Sequence, residues 1–181
     1  MEQRTEEWFN ARKGLVTASS VGAILGLSPY MKRADVMRRM VREHQGLEPE
    51  FTGNPATQYG TAFESIALAD YSLEHHRVEL CGFFKLNDWL GASPDGLIGN
   101  DGIIEIKCPY SLREGGDFKS INDQPHYYAQ IQIQLLCTDR KWCDFYQWAA
   151  HGSKLETVYR NDDWIASNII QLSEFYQEYL A

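Results

Sequence analysis

The sequence lacks any apolar run near the roughly 20 residues that a membrane-spanning helix needs. Its charged first residues are not followed by an apolar segment, so no secretory signal is expected. None of its four cysteines belongs to a Cys-x-x-Cys pair, which disfavours a zinc site, an iron–sulfur cluster or a disulfide framework. These absences favour a cytoplasmic protein that carries free thiols.

A surplus of basic residues is missing as well. The chain has 25 acidic and 17 basic side chains and a net charge of −8, which is a poor match to a protein that coats nucleic acid. The basic residues are unevenly spread, however, and many lie in the first quarter: Arg4, Arg12, Lys13, Lys32, Arg33, Arg38, Arg39 and Arg42. Judged by charge alone, these basic residues are expected to lie on solvent-exposed helix faces. A local basic surface on an otherwise acidic protein would still bind phosphates.

What the chain does have is enough material for a core. Its 181 residues, 44% hydrophobic and 13% aromatic, predict one folded domain that spans residues 1–181. Helical and strand periods alternate along the chain without a repeat or a linker. This order predicts an α/β (α+β) domain with a mixed central β-sheet flanked by helices.

The periodicity also predicts the individual elements. Helices are expected just after Thr5 and over residues 17–26, 34–44, 60–74, 125–136 and 162–180. Strands are expected over 77–86, 90–93, 96–98, 103–107, 141–149 and 155–159, the last two forming a hairpin across residues 151–153. Loops are expected over 46–55 and 112–124. We expect Trp8 and Phe9 to be the buried residues of the first helix.

The segment around Asp95 and the strand that follows it carry the clearest chemistry. Because side chains alternate along a strand, Glu105 and Lys107 share one face, while Ile104 and Ile106 point into a core on the other. Two carboxylates beside a lysine suit a hard divalent cation next to a phosphate, with the Ile106 carbonyl as a further ligand. The pattern alone is short, and a solvated strand face would also explain it. The flanking isoleucines favour the buried, functional interpretation.

Six segments in this order resemble the phage lambda-type exonuclease family, the YqaJ-like viral recombinase nucleases of the PD-(D/E)xK superfamily. They are Trp8-x-x-x-Arg12, Thr17-Ala18-Ser19, Gly60-Thr61-Ala62-Phe63-Glu64, Ser93-Pro94-Asp95-Gly96-Leu97, Glu105-Ile106-Lys107-Cys108-Pro109-Tyr110 and Tyr128-Ala129-Gln130-Ile131-Gln132. The resemblance covers most of the chain and implies a restriction-endonuclease-like core.

The resemblance implies roles for the residues that match. Asp95 and Glu105 match the metal-binding carboxylates, and Lys107 matches the catalytic lysine. Glu64 matches an acid that faces the metal, through water or a second ion, and Gln130 matches a glutamine that holds the lysine or the attacking water. The alternatives are a solvated helix glutamate and an ordinary polar residue, since Gln130 and its two neighbouring glutamines cannot all face one way.

A second matching set implies a pocket for a 5′-phosphate, formed by Arg12, Ser19, Ser93 and Arg113. Arginine makes paired charged hydrogen bonds to phosphate, and hydroxyls add neutral ones. Surface ion pairs and helix capping are the alternatives for these residues taken singly. The sequence departs from the family near Thr57, where the family's apolar wedge for unstacking the DNA end has no counterpart.

The implied activity is that of a Mg²⁺-dependent exonuclease, with Mn²⁺ as a substitute. It would digest one strand of double-stranded DNA from a 5′-phosphorylated end and leave a 3′ single-stranded tail. A single-strand annealing protein, a trimeric ring and a phage or prophage origin in a bacterial host cell are implied by the resemblance alone. The alternatives are a related endonuclease or RecB-like repair nuclease, and a non-catalytic DNA-end-binding module.

Overall fold

The computed structural model describes residues 1–49 and 53–181. Its helices are α1 (Glu6–Arg12), α2 (Ala18–Ile24), α3 (Arg33–His44), α4 (Pro55–Glu74), α5 (Pro125–Thr138) and α6 (Asp162–Leu180). Its strands are β1 (Val16–Thr17), β2 (Phe84–Lys85), β3 (Leu90–Ala92), β4 (Gly96–Ile98), β5 (Gly102–Lys107), β6 (Trp142–Ala149) and β7 (Gly152–Tyr159). Two short 3₁₀ turns occupy Tyr110–Leu112 and Ile121–Asp123.

The strands form two mixed sheets. The larger has the order β4-β5-β6-β7, in which β5 and β6 run parallel and the other two pairs are antiparallel. The smaller has the order β1-β3-β2, with β1 parallel to β3. Mixed sheets flanked by helices confirm the predicted fold class, with two sheets in place of one.

Strand β5 is buried on both faces, which is why it reads as an apolar run. Ile104 and Ile106 pack with Tyr71 of α4, as the alternation predicts. Ile103 lies in a separate cluster with Ile131 of α5. The larger sheet therefore lies between α4 and α5, and Glu105 shares the face of Ile103, towards α5.

Helix α2 packs closely against the beginning of α5. A Cβ atom added to Gly22 would lie 2.8 Å from Cβ of His126, so only glycine permits this approach. Three helices begin with a side-chain cap, in which Thr5, Asn54 and Asn161 accept backbone N–H bonds from α1, α4 and α6. The packing places Gly22 beside the end of α5 that also carries Tyr127.

The predicted strand over residues 77–86 is wrong. Glu79 pairs with Leu97 of the larger sheet, whereas Phe84 pairs with Ala92 of the smaller one. Gly82 lies between them against the N-terminus, where an added Cβ would lie 2.2 Å from the Met1 carbonyl oxygen. The segment crosses from one sheet to the other, so it cannot pair continuously with either.

Other differences are local. Helix α4 begins at Pro55, five residues before the predicted start, because Asn54 caps it and proline suits the first turn. Strand β1 is not predicted, and β7 begins at Gly152, so the hairpin turn is shorter than expected. Phe9 is exposed, while Trp8 is buried. Residues 50–52 of the predicted 46–55 loop lie outside the described residues.

Candidate active site

Asp95 is fixed to strand β5 by its backbone and its side chain. Its amide donates to the Ile104 carbonyl at 3.1 Å, and its Oδ2 accepts from the Ile106 amide at 2.7 Å. The next residue, Gly96, packs so tightly that an added Cβ would lie 2.2 Å from Cγ1 of Val78. The carboxylate of Asp95 is therefore held beside the part of β5 that carries Glu105 and Lys107.

Glu105 is buried, with 4% of its surface exposed, and both of its oxygens accept hydrogen bonds. Its Oε1 lies 3.1 Å from Nζ of Lys107 and 3.2 Å from Nε2 of Gln130. Its Oε2 accepts from Nε2 of Gln134 at 2.8 Å. Lys107 also donates to Oε1 of Gln130 at 3.2 Å, so these side chains form one network.

Glu64 joins this network from α4. It shares a hydrogen bond with Asp95, and Arg4 contacts its Oε2 at 2.6 Å. Burial would raise the pKa of Glu64, but the bonds from Asp95 and Arg4 outweigh burial and lower it. The pKa of Asp95 is raised by burial and by the negative charges of Glu105 and Glu64. The charges of Glu64 and Asp95 are therefore linked, as is expected for two carboxylates that lie close together.

Lys107 remains a cation in this setting. Burial would lower its pKa, but the charge of Glu105, with smaller effects of Tyr127 and Asp95, raises it. Its Nζ also lies 4.5 Å from the centroid of the Tyr127 ring. We call Asp95, Glu105, Lys107, Glu64 and Gln130 the carboxylate–lysine group.

The donor set of this group fits a hard divalent cation. Carboxylate and main-chain carbonyl oxygens are the ligands that Mg²⁺ prefers, and a positive ion would relieve the repulsion that raises the pKa of Asp95. Within residues 1–49 and 53–181, no three acidic, histidine or cysteine side chains are gathered to hold an ion by themselves. An ion would therefore be held by Asp95, Glu105 and the Ile106 carbonyl together with water, which Mg²⁺ retains readily.

A second group begins at the indole of Trp8. Its Nε1 donates to Oγ of Ser93 at 2.9 Å, and the guanidinium of Arg12 lies 4.0 Å from the Trp8 ring centroid. Arg12 and Trp8 are four residues apart on α1, so they share one helix face. Trp8 therefore brings Arg12 and Ser93 together, although 81 positions separate them in the chain.

Residues of α2 and α3 extend this group. Ser19 lies 3.2 Å from the hydroxyl of Thr17, which is 3.4 Å from Ser20. Arg39 donates to Ser20 at 2.8 Å and repels Arg12 electrostatically. We call this the arginine–serine group, and its members are Arg12, Arg39, Ser19, Ser20 and Ser93.

The positive charge of this group is only partly compensated, by Glu43, which lies 3.9 Å from Nε of Arg39 and also acts on the charge of Arg12. Burial, and then the charge of Arg39, lowers the pKa of Arg12 to about 10. The Nε atom of Arg12 is buried and has no hydrogen-bond partner among the described residues. An anion bound here would satisfy a buried donor and separate two repelling guanidinium groups.

The structure does not bring every predicted site residue together. Arg113 is exposed, its guanidinium lies 3.8 Å from the Tyr110 ring centroid, and it donates to the Tyr110 carbonyl. None of its contacts within the described part of the chain joins it to Arg12. Thr57 lies in the first turn of α4, where its amide and hydroxyl donate to Asn54.

Sequence reasoning missed several side chains that belong to these groups or contact them, namely Gln134, Arg4, Tyr127, Trp8 as a connector, Arg39 and Ser20. Gln134 had a usable signal, because it lies four residues after Gln130 and so on the same helix face. The other two of the three glutamines divide as predicted: Gln130 faces Glu105, whereas Gln132 bonds to residues 159 and 161. No sequence signal pointed to Arg4, because its partner Glu64 lies 60 positions away in the chain.

Residues 7–141 match the model of the YqaJ-like viral recombinase domain, so the chain belongs to this family. It is also similar to the alkaline exonuclease LHK-Exo of Laribacter hongkongensis, at 34% identity and a TM-score of 0.80, over 97% of this chain and 92% of that one. The structure of LHK-Exo in complex with dAMP matches at 33% identity and a TM-score of 0.81, over the same shares. The chain is therefore homologous to alkaline exonucleases, which are nuclease enzymes.

Two further similarities are more distant. A phage related exonuclease from Haemophilus somnus 129PT matches at 17% identity and a TM-score of 0.72, over 94% of this chain and 95% of that one, and it supports the fold alone. Uncharacterized protein R354 of Acanthamoeba polyphaga mimivirus is 29% identical over 164 residues, which are 81% of this chain. The chain spans only 29% of the length of that relative. No helix in the described residues has the length and apolarity needed to cross a membrane.

Proposed function

We propose that this protein is a Mg²⁺-dependent exonuclease that degrades one strand of linear double-stranded DNA from a 5′-phosphorylated end. The observation that carries the proposal is the short link between the two groups. Ser93 bonds to the Trp8 that lies under Arg12, and Asp95 bonds to β5 next to Glu105. Two residues of chain span at most about 7 Å, so an anion at the first group would lie close to the second.

The carboxylate–lysine group would perform hydrolysis. A divalent ion held by Asp95, Glu105 and the Ile106 carbonyl supplies Lewis acidity and a water of lowered pKa. Lys107, held by Glu105 and Gln130, orients the attacking water or stabilises the negative charge that develops on the phosphate. Glu64 and Gln130 complete the set, the first through water and the second through its bonds to Lys107 and Glu105.

The arginine–serine group would bind the terminal phosphate. Charged hydrogen bonds from Arg12, with hydroxyl bonds from Ser19 and Ser93, would select a 5′-phosphate over a 5′-hydroxyl and so set the polarity of digestion. Arg113 is proposed as a peripheral contact to the same strand. The products would be mononucleotides and a 3′ single-stranded tail.

The wider setting is also part of the proposal. One nuclease domain would span residues 1–181, and it would assemble as a homo-oligomer, most simply a trimeric ring. A single-strand annealing protein would take over the 3′ tail during recombination of phage or prophage DNA in the cytoplasm of a bacterial host. The family description, a viral recombinase domain, supports this setting. Mn²⁺ would substitute for Mg²⁺.

The proposal is tested with linear duplex DNA that carries a 5′-phosphate on one end only and a different fluorescent label on each strand. We expect Mg²⁺-dependent loss of the phosphorylated strand, with the other strand left intact. A closed circular duplex serves as the control. Cleavage of the circle would indicate an endonuclease, and end binding without nucleotide release in Mg²⁺ would indicate a non-catalytic module.

A further inference from the structure

The two carboxylate oxygens of Glu105 differ in the contacts that they already make. A carboxylate has about four lone-pair positions, two on each oxygen. Oε1 accepts from Gln130 at 3.2 Å and forms an ion pair with the Lys107 ammonium at 3.1 Å, so two groups already contact it. Oε2 accepts one bond, from Gln134 at 2.8 Å, so the remaining lone pair belongs to Oε2.

We propose that Gln134 is a positioning residue that fixes the Glu105 carboxylate and presents this remaining lone pair of Oε2 to the divalent ion. The inference rests on the proposed function, because it concerns the ion that the function requires. Without the Gln134 bond, the Glu105 side chain would be tied to its surroundings through Oε1 alone. The carboxylate could then rotate about the Cγ–Cδ bond of Glu105. A binding ion would have to fix its orientation, which would weaken binding.

The environment of Gln134 argues against a role in packing alone. Its side chain is almost completely buried, and its Oε1 has no hydrogen-bond partner among the described residues. A buried, unpaired amide oxygen is unfavourable, and an apolar side chain of the same shape would avoid it. The bond from its Nε2 to Glu105 is therefore the interaction that explains a glutamine at this position.

Gln132, on the same helix, provides a matched comparison. It is equally buried, but its Nε2 donates to the Tyr159 carbonyl at 3.0 Å and its Oε1 accepts from the Asn161 amide at 2.7 Å. These bonds join α5 to the end of β7 and to the residue that caps α6, and they do not involve the carboxylate–lysine group. Replacing either glutamine by methionine keeps the size of the side chain and removes its hydrogen bonds.

The test measures Mn²⁺ binding without DNA, by calorimetry and by the electron paramagnetic resonance signal of free Mn²⁺, in the wild type, Gln134→Met and Gln132→Met. We expect Gln134→Met to raise the Kd by about ten- to a hundredfold, as is typical for residues that orient a metal ligand. Gln132→Met should leave the Kd unchanged. Asp95→Asn shows whether the Mn²⁺ ion binds at this site, because the substitution should abolish the Mn²⁺ binding seen in the wild type.

Nuclease assays add a second readout. Raising the Mg²⁺ concentration should restore digestion by Gln134→Met, because its defect is in affinity. An unchanged Kd in Gln134→Met, or an equal loss in both glutamine variants, would overturn the inference. If Gln134→Met does not fold by circular dichroism, Gln134→Asn, whose shorter amide does not reach Oε2, is measured instead and decides by the same criteria. A wild type that binds Mn²⁺ but leaves DNA intact would refute the proposed function and not this inference.

Discussion

The carboxylate–lysine group and the arginine–serine group lie next to each other but differ in how their charges are satisfied. In the first, Glu105 accepts two hydrogen bonds and forms an ion pair with Lys107, which also donates to Gln130. In the second, Arg12 has a buried nitrogen without a partner among the described residues, and Arg39 repels it. One group is an internally bonded network, whereas the other carries two arginines that share Glu43 as a nearby acid and keep one buried donor unpaired among the described residues.

This difference indicates which group is expected to perform the cleavage and which is expected to bind the terminal phosphate. A pre-bonded network holds its members in one geometry, as a group that performs chemistry needs. Arginines that keep an unpaired donor gain charged hydrogen bonds when an anionic ligand binds. Substitutions in the first group should therefore affect cleavage of every DNA end, and substitutions in the second should affect phosphorylated ends selectively.

The largest expected effect is that of Lys107→Ala. Loss of the cation beside the reacting phosphate should reduce digestion of phosphorylated and hydroxyl ends alike, by at least about a hundredfold. The rate is measured as nucleotide release, with circular dichroism to show that the variant is folded. Lys141→Ala, at a lysine whose side chain is 76% exposed, is the control. Substantial Mg²⁺-dependent activity in Lys107→Ala would remove this group from the mechanism.

Arg12→Ala should have a smaller and selective effect. The loss of a charged hydrogen bond to phosphate corresponds to about 1.5–3 kcal/mol, or roughly ten- to a hundredfold, on 5′-phosphorylated ends. Digestion of hydroxyl ends should change little. Arg33→Ala is the control, because this partly exposed arginine pairs with Glu178 on α6. If Arg12→Ala prefers phosphorylated over hydroxyl ends as strongly as the wild type does, the arginine–serine group does not bind the terminal phosphate.

Arg113→Ala should weaken the preference for phosphorylated ends only slightly. Arg113 is exposed and already stacks on Tyr110, so a contact with DNA would be screened by solvent. We expect about a twofold to fivefold loss in kcat/KM on phosphorylated ends. A loss as large as that of Arg12→Ala would show that Arg113 moves into the arginine–serine group when DNA binds.

Tyr71→Phe should change stability and leave cleavage unchanged. The Tyr71 hydroxyl donates to the buried Oδ2 of Asp144, on the side of the sheet that faces α4. Its removal leaves a buried carboxylate oxygen without this donor and should lower the free energy of unfolding by about 1–3 kcal/mol. Urea denaturation measures the effect, and Tyr159→Phe at an exposed position is the control. A parallel loss of nuclease activity well below the melting temperature would connect this distant pair to the site.

The central geometry of the candidate site was predictable from local patterns. Period-two alternation placed Glu105 and Lys107 on one face of β5, opposite Ile104 and Ile106, and the structure has this arrangement. The resemblance singled out Asp95 and Gln130, and both contact β5 or its side chains. Patterns of this kind depend on residues near each other in the chain, which is why they can be read from sequence.

The parts that were missed depend on contacts distant in sequence. Trp8 meets Ser93 across 85 positions, and Arg4 meets Glu64 across 60, so no periodicity marks either pair. The wrong strand over 77–86 has a similar origin, because its two halves pair with different sheets. Such features follow from tertiary packing, which overrides local propensity.

The size of the released product tests most directly whether the two groups cooperate as one site. The proposed contact between Arg12 and the terminal phosphate, with the carboxylate–lysine group one short step away, predicts mononucleotides from the phosphorylated strand. Mass spectrometry of the earliest products, from wild type and Arg12→Ala with Mg²⁺, makes the measurement. We expect mononucleoside monophosphates from the wild type and much slower release from Arg12→Ala. Oligonucleotides as the first products of the wild type would contradict the assignment.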